Sequence, residues 1–160
     1  MASRWQSHDA GMIDQLAPPA RAAAERQPMF QRLLLPVDGS LSMTPLVHRC
    51  LAFAASSGAA VVAVHVAAVA DAAGAGATLA RAARILQEVA DTACTLGVQC
   101  ECKVLTGAEP WREIVRAALD QNADLICMGS HGRHGASEHI LGSQAARVLE
   151  HVHLPVLLFR

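Results

Sequence analysis

Aromatic side chains are almost missing from this chain of 160 residues: they make up 3% of it, and there is no tyrosine. That excludes a stacking platform for single-stranded nucleic acid, which needs successive rings along a groove. Positive charge is not in excess either, with Lys and Arg numbering 13 against 14 Asp and Glu. A surface that grips a phosphate backbone needs clustered cations, so nucleic acid is not expected as a partner. A secretory leader is not visible, because Met1 to Gly11 is polar and lacks an apolar segment. The stretch from Cys50 to Ala70 lacks any fixed charge and is long enough to cross a bilayer. Ser56-Ser57-Gly58 interrupts it, however, and His65 lies inside it, so it reads as a helix end, a turn and a buried strand, with no membrane partner. The five cysteines are odd in number, which favours reduced thiols and a cytoplasmic location. Cys100 and Cys102 would share one face of a strand. Without a second pair at zinc spacing they read as packed small residues, and no metal is expected.

What is present is alternation. Residues 1–30 mix Ala, Gln, Arg and Pro without a period and read as a flexible arm. Beyond them, apolar strand signals alternate with helical spacing, which predicts a single α/β domain over 31–160: a doubly wound, open parallel sheet with helices on both faces. The strands are Leu33 to Val37, Ala60 to Ala67, Val98 to Leu105, Leu125 to Met128 and Pro155 to Arg160. Ser42 is placed to cap the first helix, and Gly58 to end it. Asp71 to Ala77 reads as a small-residue loop. The next helix shows a stripe of Leu79, Ala82, Ala83, Leu86 and Ala90, and ends at Gly97. Pro110 opens a third helix with Trp111, Ile114, Val115, Ala118 and Leu119 inward. Ser143 is placed to cap a fourth, with Val148, Leu149 and Val152 inward.

Chemistry concentrates in Gly129-Ser130-His131-Gly132-Arg133-His134-Gly135, followed by Gly142-Ser143. Glycine-rich backbone leaving a strand and entering a helix brings uncrowded N–H groups and a helix N-terminus to one anion. It is neither a P-loop nor a dinucleotide fingerprint, since G-x-x-x-x-G-K-[ST] and G-x-G-x-x-G are both missing. In a doubly wound sheet the ligand sits where the winding reverses, so Asp38, at the end of the first strand, would share that crevice. Asp38 either receives hydrogen bonds from a base or sugar or caps the turn into the first helix. His131 and His134 lack a carboxylate or thiolate at matching spacing and do not make a metal pair. His65 reads as a satisfied core histidine. No nucleophile–base pair or paired carboxylates stand out, so no catalytic residue is assigned.

Gly129, Gly132, Gly142 and Ser143 fit the spacing G-x2-G-x9-G-[ST] without a gap. With Pro36-Val37-Asp38-Gly39-Ser40, Val64-His65-Val66 and Leu154-Pro155-Val156-Leu157-Leu158, they make residues 31–160 resemble the universal stress protein family in its ATP-binding branch. The resemblance implies a strand order of 3-2-1-4-5 and ATP, with or without Mg, as the bound group. It implies that Pro36, Val37, Asp38 and Val66 lie at the adenine nucleoside and Met128 and Gly129 near the ribose. Gly132, Gly142 and Ser143 would lie along the phosphates, assisted by His131 and Arg133. Family members often carry a hydroxyl or β-branched residue after Ser143. This chain has Gln144 there, which keeps the main-chain donors and changes the side-chain contact. The family commonly pairs through its last strand, and the apolar edge Val156–Phe159 invites a second copy of the chain. The expected protein is a cytoplasmic, dimeric, nucleotide-dependent stress regulator that hydrolyses ATP slowly or not at all. The alternatives are a dimeric scaffold that binds no nucleotide and an ATP-using enzyme of a related α/β type.

Overall fold

The computed structural model describes residues 29–40, 43–68, 72–130 and 141–159. In chain order the elements are β1 (Arg32–Pro36), α1 (Met43–Ser57), β2 (Ala60–Ala67), α2 (Ala72–Thr95), β3 (Cys100–Thr106), α3 (Pro110–Asp120), β4 (Leu125–Gly129), α4 (Ser143–His151) and β5 (Val156–Phe159). The strands form one parallel sheet ordered β3-β2-β1-β4-β5. The expected architecture and strand order are both present. The flexible arm expected over 1–30 lies outside the described residues up to residue 28, as does the Ser42 cap.

Both faces of the sheet are covered, which is why its central strands are apolar throughout rather than alternating. Leu33, Leu35, Val61, Ala63, Leu125 and Cys127 pack beneath α1 and α2. Leu34, Val62, Val64, Ile126 and Met128 point the other way, into α3 and α4. The charge-free stretch after Cys50 resolves into the end of α1, a turn at Gly58 and β2. No helix among the described residues is long and apolar enough to cross a membrane.

α1, α2 and α3 end in the same reversal. Gly58, Gly97 and Asn122 take positive φ, and the following amides (Ala59, Val98, Ala123) donate back to Ala54, Ala93 and Ala118. Two of these stops were legible as glycines; Asn122 was not singled out.

Several expectations need correction. Of the loop expected over Asp71 to Ala77, the residues from Ala72 on belong to α2, and Asp71 lies outside the described residues. Alanine is the strongest helix former, and a run of it offsets the roughly 1 kcal/mol that each of Gly74 and Gly76 costs. The inward line of α2 is Ala82, Leu86, Val89 and Ala93, while Leu79 and Ala83 are exposed. α3 buries Trp111, Ile114, Ala117 and Ala118 and leaves Leu119 66% exposed. α4 buries Ala145 and Val148 but exposes Leu149. In each of these helices alanines are among the buried positions, and a leucine expected to face inward is exposed.

Candidate functional site

The winding direction reverses between β1 and β4, which pair side by side near Leu33–Leu125 and Leu34–Ile126. Beyond their C-terminal ends lie the β1 tail (Val37, Asp38, Gly39, Ser40), the β4 tail (Gly129, Ser130) and the start of α4 (Gly142, Ser143). This is the crevice where ligands sit in doubly wound sheets.

The β1 tail is held rigidly. The Val37 amide donates to the Val64 carbonyl at 2.9 Å, and His65 Nδ1–H donates to the Val37 carbonyl at 2.7 Å. His65 is buried, so its ring is the satisfied core histidine expected from sequence, and its particular task is to pin the end of β1. Val37 is also buried, with its side chain in the α1/α2 layer. Asp38 Oδ1 accepts from the Ser40 amide at 2.8 Å and from the Ser40 hydroxyl at 2.7 Å. Of the two roles weighed for Asp38, the turn-forming one is therefore present. Gly39 has φ +74°, and a Cβ there would run into Ile85 of α2, so this tail passes directly under that helix.

The β4 side is tied as well. The Ser130 amide donates to the Phe159 carbonyl at 2.9 Å, and the Gly142 amide donates to the Ser130 carbonyl at 2.7 Å. The second bond brings the end of β4 against the start of α4, so the two ends of the glycine segment meet. His131, Gly132, Arg133 and His134 lie between them, outside the described residues. The expectation that Ser143 caps α4 is corrected: Gly142 is the N-cap, with φ −59° and ψ 146°, and among the described residues no side-chain cap bond is present. The extended residue is the glycine, so the serine becomes the first helical position.

Pro36, Val66, Met128, Gly142 and Ser143 thus come to one rim of the sheet. Val66 and Met128 belong to the α3/α4 layer, on the opposite face from Val37. Gln144 behaves differently from the rest. Its Oε1 accepts from the Trp111 amide at 3.0 Å, in the first turn of α3. Glu109, the N-cap of α3, makes no side-chain cap bond, so Gln144 supplies the acceptor from the neighbouring helix. Trp111 is then enclosed by Arg112 (5.1 Å), Arg147 (5.6 Å) and the His151 ring (4.4 Å). Glu109 pairs with both arginines. This α3–α4 junction was missed from sequence. The available hint was Pro110 following a residue type that seldom caps.

A groove of about 540 Å³ lined by residues such as Gln31, Ala55, Gly58, Gly97 and Gln99 lies at the opposite rim. It has no charged side chain in its lining and no part in this crevice.

The profile of the universal stress protein family matches residues 29–160. A universal stress protein of Methanocaldococcus jannaschii is 40% identical over 75 residues, which is 47% of this chain and 44% of the relative. The chain thus spans about half the length of the curated relatives it matches. A universal stress protein structure from Burkholderia pseudomallei superposes with a TM-score of 0.68 at 27% identity, covering 82% of this chain and 96% of that one. A second, described as a universal stress protein in complex with cAMP, superposes at 0.68 with 25% identity, covering 82% and 97%.

Proposed function

Since the chain belongs to the universal stress protein family, we propose that it binds an adenine nucleotide at the β1–β4 crevice and acts as a nucleotide-dependent regulator. The nucleotide is ATP, with or without Mg. The protein is a cytoplasmic homodimer joined through Val156–Phe159, and any hydrolysis is slow because the sequence carries no Walker-type lysine motif and no dedicated base among the described residues of the site.

The observation that carries this reading is the Gly142–Ser130 bond at 2.7 Å, which closes the glycine segment at the N-terminus of α4. A helix N-terminus entered by glycine, whose N-cap has no side chain to occupy its amides, suits an oxyanion. The cAMP complex of a relative supports the adenine assignment. In this reading Pro36, Val37, Asp38 and Val66 surround the nucleoside, Met128 and Gly129 the ribose, and Gly132, Gly142 and Ser143 the phosphates. His131 and Arg133 add donors, and Gln144 contributes through its main-chain amide, its side chain being committed to α3.

Gly142→Asp tests the reading because it separates folding from binding. Aspartate is a good N-cap, so the helix loses nothing and gains up to about a few tenths of a kcal/mol. The same carboxylate repels phosphate. The expected result is an unchanged melting point with nucleotide binding abolished in calorimetric titrations of ATP, ADP, AMP and cAMP. Mass spectrometry of ligand released from the purified chain identifies the nucleotide. Wild-type protein that releases none, and that millimolar ATP does not stabilise, leaves the scaffold reading instead.

A further inference from the structure

The outer strand carries two thiols that the nucleotide reading does not use. Cys100 and Cys102 are two residues apart on β3 and project from the face that α2 covers. Cys100 is half-buried against the core, whereas Cys102 is exposed rather than packed, which corrects the expectation from sequence. The Cys102 sulfur lies 3.5 Å from the Leu86 carbonyl oxygen of α2. The Cys100 sulfur lies 4.0 Å from the Glu101 carbonyl oxygen. The two thiols are therefore neighbours on one face of one strand, a single residue between them. β3 is the outer strand of the sheet, so solvent reaches the pair from the open edge.

We propose that Cys100 and Cys102 form a two-thiolate site for a soft, monovalent d10 metal ion of the copper(I) class. The donor set selects the ion. Among the described residues no group of three or more His, Cys, Asp or Glu side chains is placed to hold a metal. Zinc asks for four ligands, and magnesium and calcium ask for six or more oxygens. Thiolate pairs with nothing else to offer suit copper(I). Glu101 does not join them, because it pairs with Arg32 at 3.1 Å and Lys103 at 3.0 Å. Binding is a substitution without change of oxidation state. Thiols bind such an ion as thiolates, so each gives up its proton on binding. Two S–H bonds break, two sulfur–metal bonds form, and two protons pass to solvent.

The test is an anaerobic titration of the full, pre-reduced chain with copper(I) held by the chromophoric competitor bicinchoninate. One equivalent should be withdrawn by the wild type and by Cys94→Ser, which removes an exposed thiol elsewhere on α2. Cys100→Ser and Cys102→Ser should withdraw none while melting as the wild type does. Metal uptake that survives both of those substitutions, or that disappears with Cys94→Ser, overturns the site; zinc uptake matching that of copper overturns the choice of ion. Phenylarsine oxide supplies a readout without metal, since it joins two neighbouring thiols through two S–As bonds and expels one water. It should protect Cys100 and Cys102 together from alkylation in peptide mapping. Alkylation of both at the unprotected rate means the sulfurs do not act as a pair. The β3 edge is remote from the β1–β4 crevice, so this outcome is independent of nucleotide binding.

Discussion

At the scale of single residues, the tail of β1 shows how much can depend on a missing Cβ. Gly39 takes positive φ and lies against Ile85, whereas Gly58 takes positive φ facing open space. An alanine pays only the left-handed backbone cost at Gly58, about 1 kcal/mol. At Gly39 it must also displace Ile85, so Gly39→Ala should lose about 2–3 kcal/mol. Urea midpoints of the two variants decide this, and equal losses would show that Ile85 moves freely. The turn at Asp38-Gly39-Ser40 was legible, because those residue types end strands. Ile85 above it was not, since no local signal couples two positions so distant in sequence. Glu101 gives a prediction in pH. The hydrogen bond from Lys103 foremost, aided by Arg32, holds its carboxyl below the usual carboxylate range. A depressed folded value means that any stabilisation is present at neutral pH and fades as pH falls through that value. The group is exposed, so the effect on stability is small. Its midpoint, followed by carboxyl-carbon NMR, should nevertheless rise in Lys103→Met; a midpoint that stays put would remove Lys103 as the cause.

At the scale of elements, the start of α4 stabilises the start of α3. The Trp111 amide needs an acceptor that its own N-cap residue does not provide, and Gln144 gives one from across the interface. Gln144→Ala should therefore cost about 1 kcal/mol in chemical denaturation, the usual value of a lost cap. Gln144→Glu should retain most of that, because a carboxylate also accepts and suits a helix N-terminus. A Glu variant as weak as Ala would mean that the contact is packing rather than a hydrogen bond. The existence and order of the helices could be read from glycine, proline and apolar spacing, and the buried strands from unbroken aliphatic runs. The rotation of each helix could not. With alanine on several sides of α2 and α3, more than one stripe fits the 3.6-residue period, and the sheet chooses the one that allows closest approach. The start of α2 was hidden for the same reason, since Ala/Gly-rich sequence is common to loops and to helices.

At the scale of the whole molecule, β5 is half-buried along its length at the end of the sheet, as an edge awaiting a partner would be. If the chain pairs there, its melting temperature should rise with protein concentration, and sedimentation velocity should report a dimer. A concentration-independent melt with monomer sedimentation would end that proposal. Nucleotide at about 100 times its dissociation constant should add about 2.7 kcal/mol to stability by linkage. The alternating pattern of the sequence was enough to foresee a doubly wound sheet. The order of its strands came from family resemblance, because local periodicity carries no information about which strands are neighbours. The glycine spacing located the site, but the bonds that shape it, from His65 to Val37 and from Gly142 to Ser130, join segments that meet only on folding. Parallel pairing has an electrical consequence too. When every strand runs the same way and each crossover returns by a helix, all helix beginnings share one rim and all helix endings the other. Peptide dipoles then add across the layers. A chain whose side chains nearly cancel, at −1 overall, is polarised from top to bottom by its main chain alone, attracting anions to the crevice end and turning them away from the other.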